Sequence, residues 1–153
     1  MPATSANMGP GFDCLGVALS AYNRIVIEEN DSGEINVVWA ADNDIVLPLE
    51  ENLVYTSFLT ALDAIGFRHS GVTIHIPKPG IPIARGLGSS AASVVAGVLA
   101  ANEIAGRPLC FEKVLALAVE IEGHPDNVVP AMVGGMTVAV LDGRESIYSK
   151  VAV

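Results

Sequence analysis

A glycine-spaced loop that runs directly into a helix of small residues constrains this 153-residue chain more than any other segment. It reads PIARGLGSSAASVVAGVLAANEIAG, from Pro82 to Gly106. Gly86 and Gly88 allow the backbone to take positive φ angles and to approach a ligand closely. Ser89 and Ser90 stand where the helix should begin, and hydroxyls there can cap its free N–H groups. The same N–H groups and the positive end of the helix dipole form an anion site, so the segment favours phosphate binding; a capped helix after a turn is the alternative.

Three other glycine-rich motifs do not fit this loop. A Walker A loop requires a Gly-Lys pair, and the sequence contains none. A dinucleotide fingerprint needs a third glycine where Ala91 stands, and the nucleophile-elbow pattern GxSxG does not occur in GLGSSAA. The loop therefore indicates a phosphate site without the usual lysine.

The charge balance limits the partners that the chain can bind. Eight lysines and arginines face 17 aspartates and glutamates, for a net charge of −9, which disfavours nucleic acid and anionic membranes. We therefore expect phosphate to be held by backbone N–H groups, a helix N-terminus or a metal ion.

The longest uncharged apolar run, Val128 to Leu141, is too short for a membrane span. Cys14 and Cys110 form no disulfide framework or zinc spacing, which favours reduced thiols and a cytoplasmic location.

Hydrophobic periodicity predicts an α+β fold. The predicted strands are Val17–Glu29 (one strand or a bent pair), Glu34–Trp39, Gly71–Ile76 and Gly135–Leu141; the predicted helices are Asn52–Ile65, Ser90–Ala105 and Phe111–Ile121. This order favours helices layered over a mostly antiparallel sheet. The chain begins at Met1-Pro2-Ala3 with no strand pattern and ends in an apolar tail, so we expect a piece of a longer protein.

Three segments, in the right order, resemble the GHMP small-molecule kinases and, among them, the homoserine kinases. Pro82 to Ala92 (PIARGLGSSAA) is similar to the PxxxGLGSSAA phosphate loop of the superfamily. Pro2 to Gly16 (PATSANMGPGFDCLG) resembles the first motif of homoserine kinases, and Gly123 to Gly135 (GHPDNVVPAMVGG) resembles their HxDNxxPxxxGG segment. The resemblance covers essentially the whole chain, residues 1–153.

The resemblance implies a fold and an activity. The fold is the ribosomal protein S5 domain 2-like N-terminal domain of GHMP kinases, a mostly antiparallel sheet with helices on one face and a left-handed βαβ crossover. The activity is phosphorylation of the L-homoserine hydroxyl to O-phospho-L-homoserine in threonine biosynthesis, with ATP as co-substrate and Mg²⁺ as cofactor. The C-terminal domain of the family has no counterpart in this sequence, and a homodimer is compatible with the resemblance.

The same resemblance places the substrate at five residues. Asn7 and Asp13 match a substrate-binding pair of the family, and Asp13 offers a carboxylate to the ammonium group of homoserine. His124, Asp126 and Asn127 fall where the family lines its substrate pocket. Without the resemblance, Asn7 to Gly11 would be read as a turn and Asp126-Asn127 as a helix N-cap.

Asn127 carries the sharpest mechanistic implication. Mevalonate kinase has an aspartate, its proposed catalytic base, at the corresponding position, and an amide cannot take a proton. We therefore expect catalysis by positioning and charge neutralisation, without a side-chain base, and no gain in turnover from Asn127→Asp. The family binds Mg²⁺ through a loop serine and a helix glutamate, which correspond here to Ser90 and Glu120, with Glu122 as the alternative.

The implied nucleotide site consists of Asn52, near the adenine, and a continuous loop around the phosphates. The loop residues are Pro82, Ile83, Ala84, Arg85, Gly86, Leu87, Gly88, Ser89, Ser90, Ala91 and Ala92. Asn52 would serve equally well as the N-cap of the helix that follows it. Other readings are a GHMP kinase for another small alcohol, a nucleotide-binding module without activity and, as the weakest, a dinucleotide-dependent oxidoreductase.

Overall fold

The computed structural model describes residues 1–40, 46–78, 80–143 and 145–152. Within these ranges the chain forms seven strands and four α-helices. The strands are β1 (Pro2–Ala6), β2 (Leu15–Tyr22), β3 (Val26–Glu29), β4 (Ile35–Trp39), β5 (Val72–Ile76), β6 (Met136–Asp142) and β7 (Glu145–Val151). The helices are α1 (Leu53–Ile65), α2 (Ser89–Ile104), α3 (Phe111–Glu122) and α4 (Pro125–Val133), and a 3-10 turn, Leu49–Glu51, precedes α1.

The strands are divided between two sheets, which confirms an α+β fold with mostly antiparallel pairing. One sheet has the order β1-β2-β6-β7 and is antiparallel throughout. The other has the order β3-β5-β4, in which β5 runs antiparallel to β3 and parallel to β4. The parallel pair is joined through α1, as parallel neighbours require a crossover connection.

Helix α2 lies at the centre of the helix layer and contacts α1, α3, α4 and β1. Its small residues allow this close packing. At Gly97, a Cβ atom would lie 2.6 Å from the carbonyl oxygen of Val54 and 2.9 Å from the amide nitrogen of Phe58 on α1. The main core fills the space beneath, with Phe58, Ile74 and Val95 fully buried. The N-terminus of α2 is thereby held in a fixed position.

Most of the predicted elements are confirmed with small shifts at their ends. The segment Val17–Glu29 is a bent pair, because β2 and β3 are separated at residues 23–25. Asn52 caps α1 by accepting hydrogen bonds from the amides of Val54 and Tyr55, and Gly66 ends the helix with φ at 74°. None of the described helices is both long and apolar enough to cross a bilayer.

Two strands and one α-helix were not predicted. The expectation of no strand at the start is wrong, because Pro2–Ala6 forms β1; its short side chains show no alternation, and pairing with β2 decides its conformation. The segment Pro125–Val133 forms α4 although it contains Pro130, and β7 begins three residues after the end of β6. Helix α4 begins after His124, so Asp126 and Asn127 lie in its first turn and are not its N-cap.

Candidate active site

The loop before α2 is built from left-handed backbone. Ala84, Gly86 and Gly88 have φ angles of 55°, 70° and 63°. The amide of Thr4 donates to the carbonyl of Leu87 at 3.1 Å, which fixes the loop against β1. A Cβ atom at Gly88 would collide with the hydroxyl of Thr4 and lie 3.0 Å from Oδ1 of Asn127. Glycine is required there because β1 and α4 approach the loop so closely.

The N-terminus of α2 has no side-chain cap. Its N-cap residue is Gly88, so the expectation that the hydroxyls of Ser89 and Ser90 cap the helix is wrong. The Ser90 hydroxyl donates instead to Glu122, and the carbonyl of Ser89 accepts from Ser93. The first N–H groups of a 16-residue helix are thus left for an anion, where the helix dipole favours negative charge.

Ser90 and Glu122 form a side-chain hydrogen bond between the phosphate loop and α3. Oγ of Ser90 lies 2.8 Å from Oε2 of Glu122. Burial raises the pKa of the Glu122 carboxyl, the Ser90 hydrogen bond and His124 lower it, and Asp126 raises it further. Glu120 is exposed on another side of α3. The structure therefore brings Glu122, and not Glu120, to the loop serine.

Asp126 connects the residues of the third motif to the first motif. Its side chain is buried, and its carboxylate accepts from Nδ1 of His124 at 2.6 Å. It also accepts from Nδ2 of Asn7 at 3.4 Å and from Nδ2 of Asn127 at 3.5 Å. His124 is half exposed, so its ring reaches from the buried carboxylate to the surface of the site.

Thr4 holds the other end of the Asn127 amide. The fully buried Thr4 hydroxyl donates to Oδ1 of Asn127 at 2.8 Å. Sequence reasoning did not select Thr4, although it lies within the first motif. No signal in the sequence marks Thr4, because its role depends on β1 running beside the phosphate loop.

Between β1 and β2 the first motif forms a turn on which Asn7 and Asp13 are exposed. Asn7 and Asp13 have φ angles of 58° and 56°, a region that Asn and Asp tolerate better than most residues. The amide of Asp13 donates to Oδ1 of Asn7 at 2.7 Å, which closes the turn. Both side chains are exposed. The hydrogen bond from Asn7 to Asp126 places this turn beside the Asp126 cluster, which consists of Asp126 and its partners Asn7, His124 and Asn127. The turn and the binding interpretation are therefore compatible.

A cavity of about 290 Å³ opens beside the phosphate loop. Its lining includes Trp39, Asn52, Ile83, Ala84 and Ser90. Asn52 is buried, and its Nδ2 atom has no hydrogen-bond partner in the described part of the chain, although its Oδ1 caps α1. A buried donor without a partner is costly and favours a ligand acceptor in the cavity. The size suits a planar base and sugar.

The remaining loop residues differ in exposure. Pro82 and Arg85 are exposed, whereas Ala91 and Ala92 are buried and pack in the core. Only the backbone of the two alanines can therefore face the site. Of the residues that the structure describes, no group of three or more His, Cys, Asp or Glu side chains could hold a metal ion.

The comparisons with known proteins identify the family of the chain. The GHMP kinases N terminal domain matches residues 52–135. The chain is 49% identical to the homoserine kinase of Clostridium novyi (strain NT) and 52% identical to that of Clostridium botulinum (strain ATCC 19397 / Type A). Each alignment covers 100% of this chain and 50% of the relative. The chain thus spans about half the length of the curated relatives it matches.

Solved structures show the same fold. The homoserine kinase from Cytophaga hutchinsonii has a TM-score of 0.79 and 34% identity, over 97% of this chain and 49% of the other. The mevalonate kinase from Methanococcus jannaschii has a TM-score of 0.75 at 19% identity, over 99% and 54%, and so shows the fold alone. The predicted fold is confirmed. Because residues 52–135 are more than half of the sequence, the chain belongs to the GHMP kinases, of which it carries the N-terminal domain.

Proposed function

We propose that this chain is the N-terminal, ATP-binding domain of a homoserine kinase. The whole protein would transfer the γ-phosphoryl group of ATP to the hydroxyl of L-homoserine, giving O-phospho-L-homoserine for threonine biosynthesis. The observation that carries the proposal is the proximity of the uncapped α2 N-terminus to Asn127, whose Oδ1 lies 3.0 Å from the Cβ position of Gly88. Phosphoryl transfer requires the terminal phosphate and the accepting hydroxyl to be adjacent.

The nucleotide would be held mainly by backbone groups. The N–H groups at the start of α2 and along Gly86–Ser89 would bind the phosphates, since no lysine accompanies this loop. The base would enter the cavity beside Trp39, where stacking on the indole is available. Nδ2 of Asn52 would then find the acceptor that it lacks within the described residues.

Mg²⁺ fits the pair Ser90 and Glu122. Magnesium binds few protein oxygens and keeps the rest of its shell for water and phosphate, and this pair offers a hydroxyl and a carboxylate. When bound, the ion would neutralise charge on the phosphates. We therefore propose Glu122 in place of Glu120 as the glutamate ligand, because only Glu122 contacts Ser90.

The substrate would bind between the first motif and His124. The exposed carboxylate of Asp13 would pair with the ammonium group, and Asn7 and His124 would contact the amino-acid head. Asn127 would orient the hydroxyl without removing its proton, which would pass to the γ-phosphate or to solvent. The charge neutralisation would come from the α2 N-terminus and the metal ion.

A coupled ADP-release assay tests the proposal. It compares L-homoserine with mevalonate, galactose and L-serine, and the fluorescence of Trp39, the single tryptophan, reports nucleotide binding in parallel. Turnover with L-homoserine alone supports the proposal, whereas turnover with mevalonate or galactose would assign another GHMP kinase. Nucleotide binding without turnover would favour the second candidate, a nucleotide-binding module, which requires only the cavity and the uncapped N-terminus of α2. Absence of nucleotide binding would overturn both.

We also propose that the protein is located in the cytoplasm. Cys14 and Cys110 are both free thiols, and Cys110 is exposed. Free thiols are typical of the reducing cytoplasm, which would also supply ATP.

A further inference from the structure

We propose that Asp126 is a positioning residue and that it does not bind the substrate: its carboxylate fixes the ring of His124 and the amides of Asn7 and Asn127. The inference deepens the proposed function, because it concerns how the same site is held in its binding geometry. It revises the sequence-based expectation that Asp126 contacts the substrate.

Burial separates Asp126 from any ligand. The residue is 1% exposed, whereas Asn7 is exposed and His124 is half exposed. The backbone on the other side is also closely packed: a Cβ atom at Gly16 on β2 would collide with the carbonyl oxygen of Asp126. A substrate therefore meets the groups that Asp126 holds and cannot reach the carboxylate itself.

The hydrogen bonds of Asp126 require a carboxylate. Three N–H donors point at its two oxygens: Nδ1 of His124, Nδ2 of Asn127 and Nδ2 of Asn7. An ionised carboxylate accepts on both oxygens, whereas an amide of the same shape accepts on one and donates on the other. Asparagine at this position would set an N–H group against at least one of the three donors.

The strongest of these contacts determines how His124 faces the site. A carboxylate oxygen 2.6 Å from Nδ1 accepts its hydrogen, so the proton of the neutral ring lies on Nδ1. Nε2 is then the ring atom that faces a ligand, with its lone pair free. A buried acceptor behind a histidine sets ring orientation in the same way at metal and catalytic sites.

The same carboxylate helps to fix the amide of Asn127. Nδ2 of Asn127 points to Asp126, and Oδ1 accepts from the Thr4 hydroxyl. The two contacts assign the oxygen and nitrogen ends of the amide. One Nδ2–H and one Oδ1 lone pair remain for the ligand.

The test is the ring protonation of His124, read by long-range ¹H–¹⁵N correlation spectra of the ¹⁵N-labelled chain at mildly alkaline pH. The chain has three histidines, so His69 and His75 serve as internal references. We expect His124 to carry its proton on Nδ1 in the wild type and to lose this fixed form in Asp126→Asn. The matched control is Asp142→Asn, at an exposed aspartate of β6, which should leave the spectrum of His124 unchanged.

Two results would overturn the inference. One is a wild-type His124 ring that carries its proton on Nε2, and the other is an unchanged His124 spectrum in a folded Asp126→Asn variant. If Asp126→Asn does not fold, the wild-type spectrum still tests the inference. The Asn7→Ala variant adds to this test, because it removes one donor to Asp126 and should leave the His124 proton on Nδ1. None of these readouts requires kinase activity, so failure of the proposed function remains distinguishable. Addition of L-homoserine should then shift the ¹⁵N resonance of His124 Nε2. An unchanged resonance would contradict the substrate assignment alone.

Discussion

Ser90 and Glu122, which are 32 positions apart in the sequence, are joined by a hydrogen bond of 2.8 Å from the serine hydroxyl to the carboxylate. The bond links the start of α2 to the end of α3. Because Ser90 lies in the first turn of α2, whose N–H groups have no side-chain cap, the carboxylate lies next to the proposed phosphate site. A divalent ion held by Ser90 and Glu122 would neutralise negative charge on the carboxylate and on the phosphates.

Substitution of Glu122 should weaken Mg²⁺-dependent nucleotide binding. Glu122→Gln keeps a hydrogen-bond acceptor for Ser90 but removes the charge that would hold the ion. We expect the affinity for MgATP to fall about tenfold or more, in line with the cost of disturbing a metal shell. The measurement is Trp39 fluorescence titration with and without Mg²⁺. Glu120→Gln is the matched control on the same helix, and an equal loss there would contradict the assignment.

The stability of the chain should depend on pH through Glu122. Burial raises the pKa of this carboxyl in the folded state above its ordinary value of 4.5. The folded state therefore holds the proton more tightly than the unfolded state, so this contribution is complete below pH 4.5 and is lost as pH rises through the folded pKa. Urea unfolding over a pH series, without metal, should show this decline in the wild type and less of it in Glu122→Gln. A steeper decline in Glu122→Gln would refute the prediction.

Gly88→Ala should be more damaging than Gly86→Ala. Both glycines have positive φ, which costs an alanine about 1–2 kcal/mol of unfolding free energy. At Gly86 nothing lies within 4 Å of the added Cβ, whereas at Gly88 the Cβ would collide with the Thr4 hydroxyl. We expect a loss of about 1 kcal/mol at Gly86 and about 3 kcal/mol or more at Gly88, with the larger loss of nucleotide binding at Gly88. Chemical unfolding and Trp39 fluorescence measure the two effects; similar losses would show that the approach of β1 is unimportant.

Gly97→Ala should destabilise the chain although alanine favours helices. In an open helix this change gains about 1 kcal/mol. Here the added Cβ would meet the α1 backbone at Val54 and Phe58, and overpacking costs about 1–3 kcal/mol. Thermal unfolding measures the net result. Ala100→Gly, on a partly exposed side of the same helix, is the control and should lower the free energy of unfolding by about 1 kcal/mol through helix propensity alone. A gain in stability for Gly97→Ala would contradict the close packing of α2 against α1.

Asn127→Asp should not raise turnover in the proposed kinase. The new carboxylate would lie beside the buried carboxylate of Asp126, where Nδ2 of Asn127 now donates at 3.5 Å. The repulsion should lower stability by about 1 kcal/mol or more, because like charges at a buried site interact strongly. The ADP-release assay and thermal unfolding test both parts. Asn36→Asp, at an exposed position of β4, is the control. A large rise in turnover for Asn127→Asp would contradict catalysis without a side-chain base.

The elements with local end signals could be predicted from the sequence. Helix α1 lies between Asn52, which accepts from two of its first amides, and Gly66 in the left-handed conformation. Strand β1 lacks such signals, and helix α4 has them in Pro125 at its start and Gly134 at its end, but the internal Pro130 argues against a helix. β1 depends on pairing with β2, and α4 tolerates Pro130 where a proline usually ends a helix.

The choice between Glu120 and Glu122 could have been made from helical spacing. Glu122 lies four residues after Ala118 and three after Val119, on the buried face of α3. Residues at these spacings share a helix face, so Glu122 had to point towards the neighbouring α2. Motif alignment alone could not reveal this, because it measures distance along the chain and not the direction of a side chain. The Asp126 cluster depends on contacts between distant segments and could not be predicted.

The position of Thr4 has a consequence for how the site responds to disturbance. Its amide binds the loop at Leu87, and its hydroxyl binds Asn127. A single residue of an edge strand therefore sets the spacing between the phosphate loop and Asn127, which would orient the accepting hydroxyl. Any partner, strain or substitution that displaces β1 would misalign both reactants at once, so damage at this strand should lower affinity and rate together.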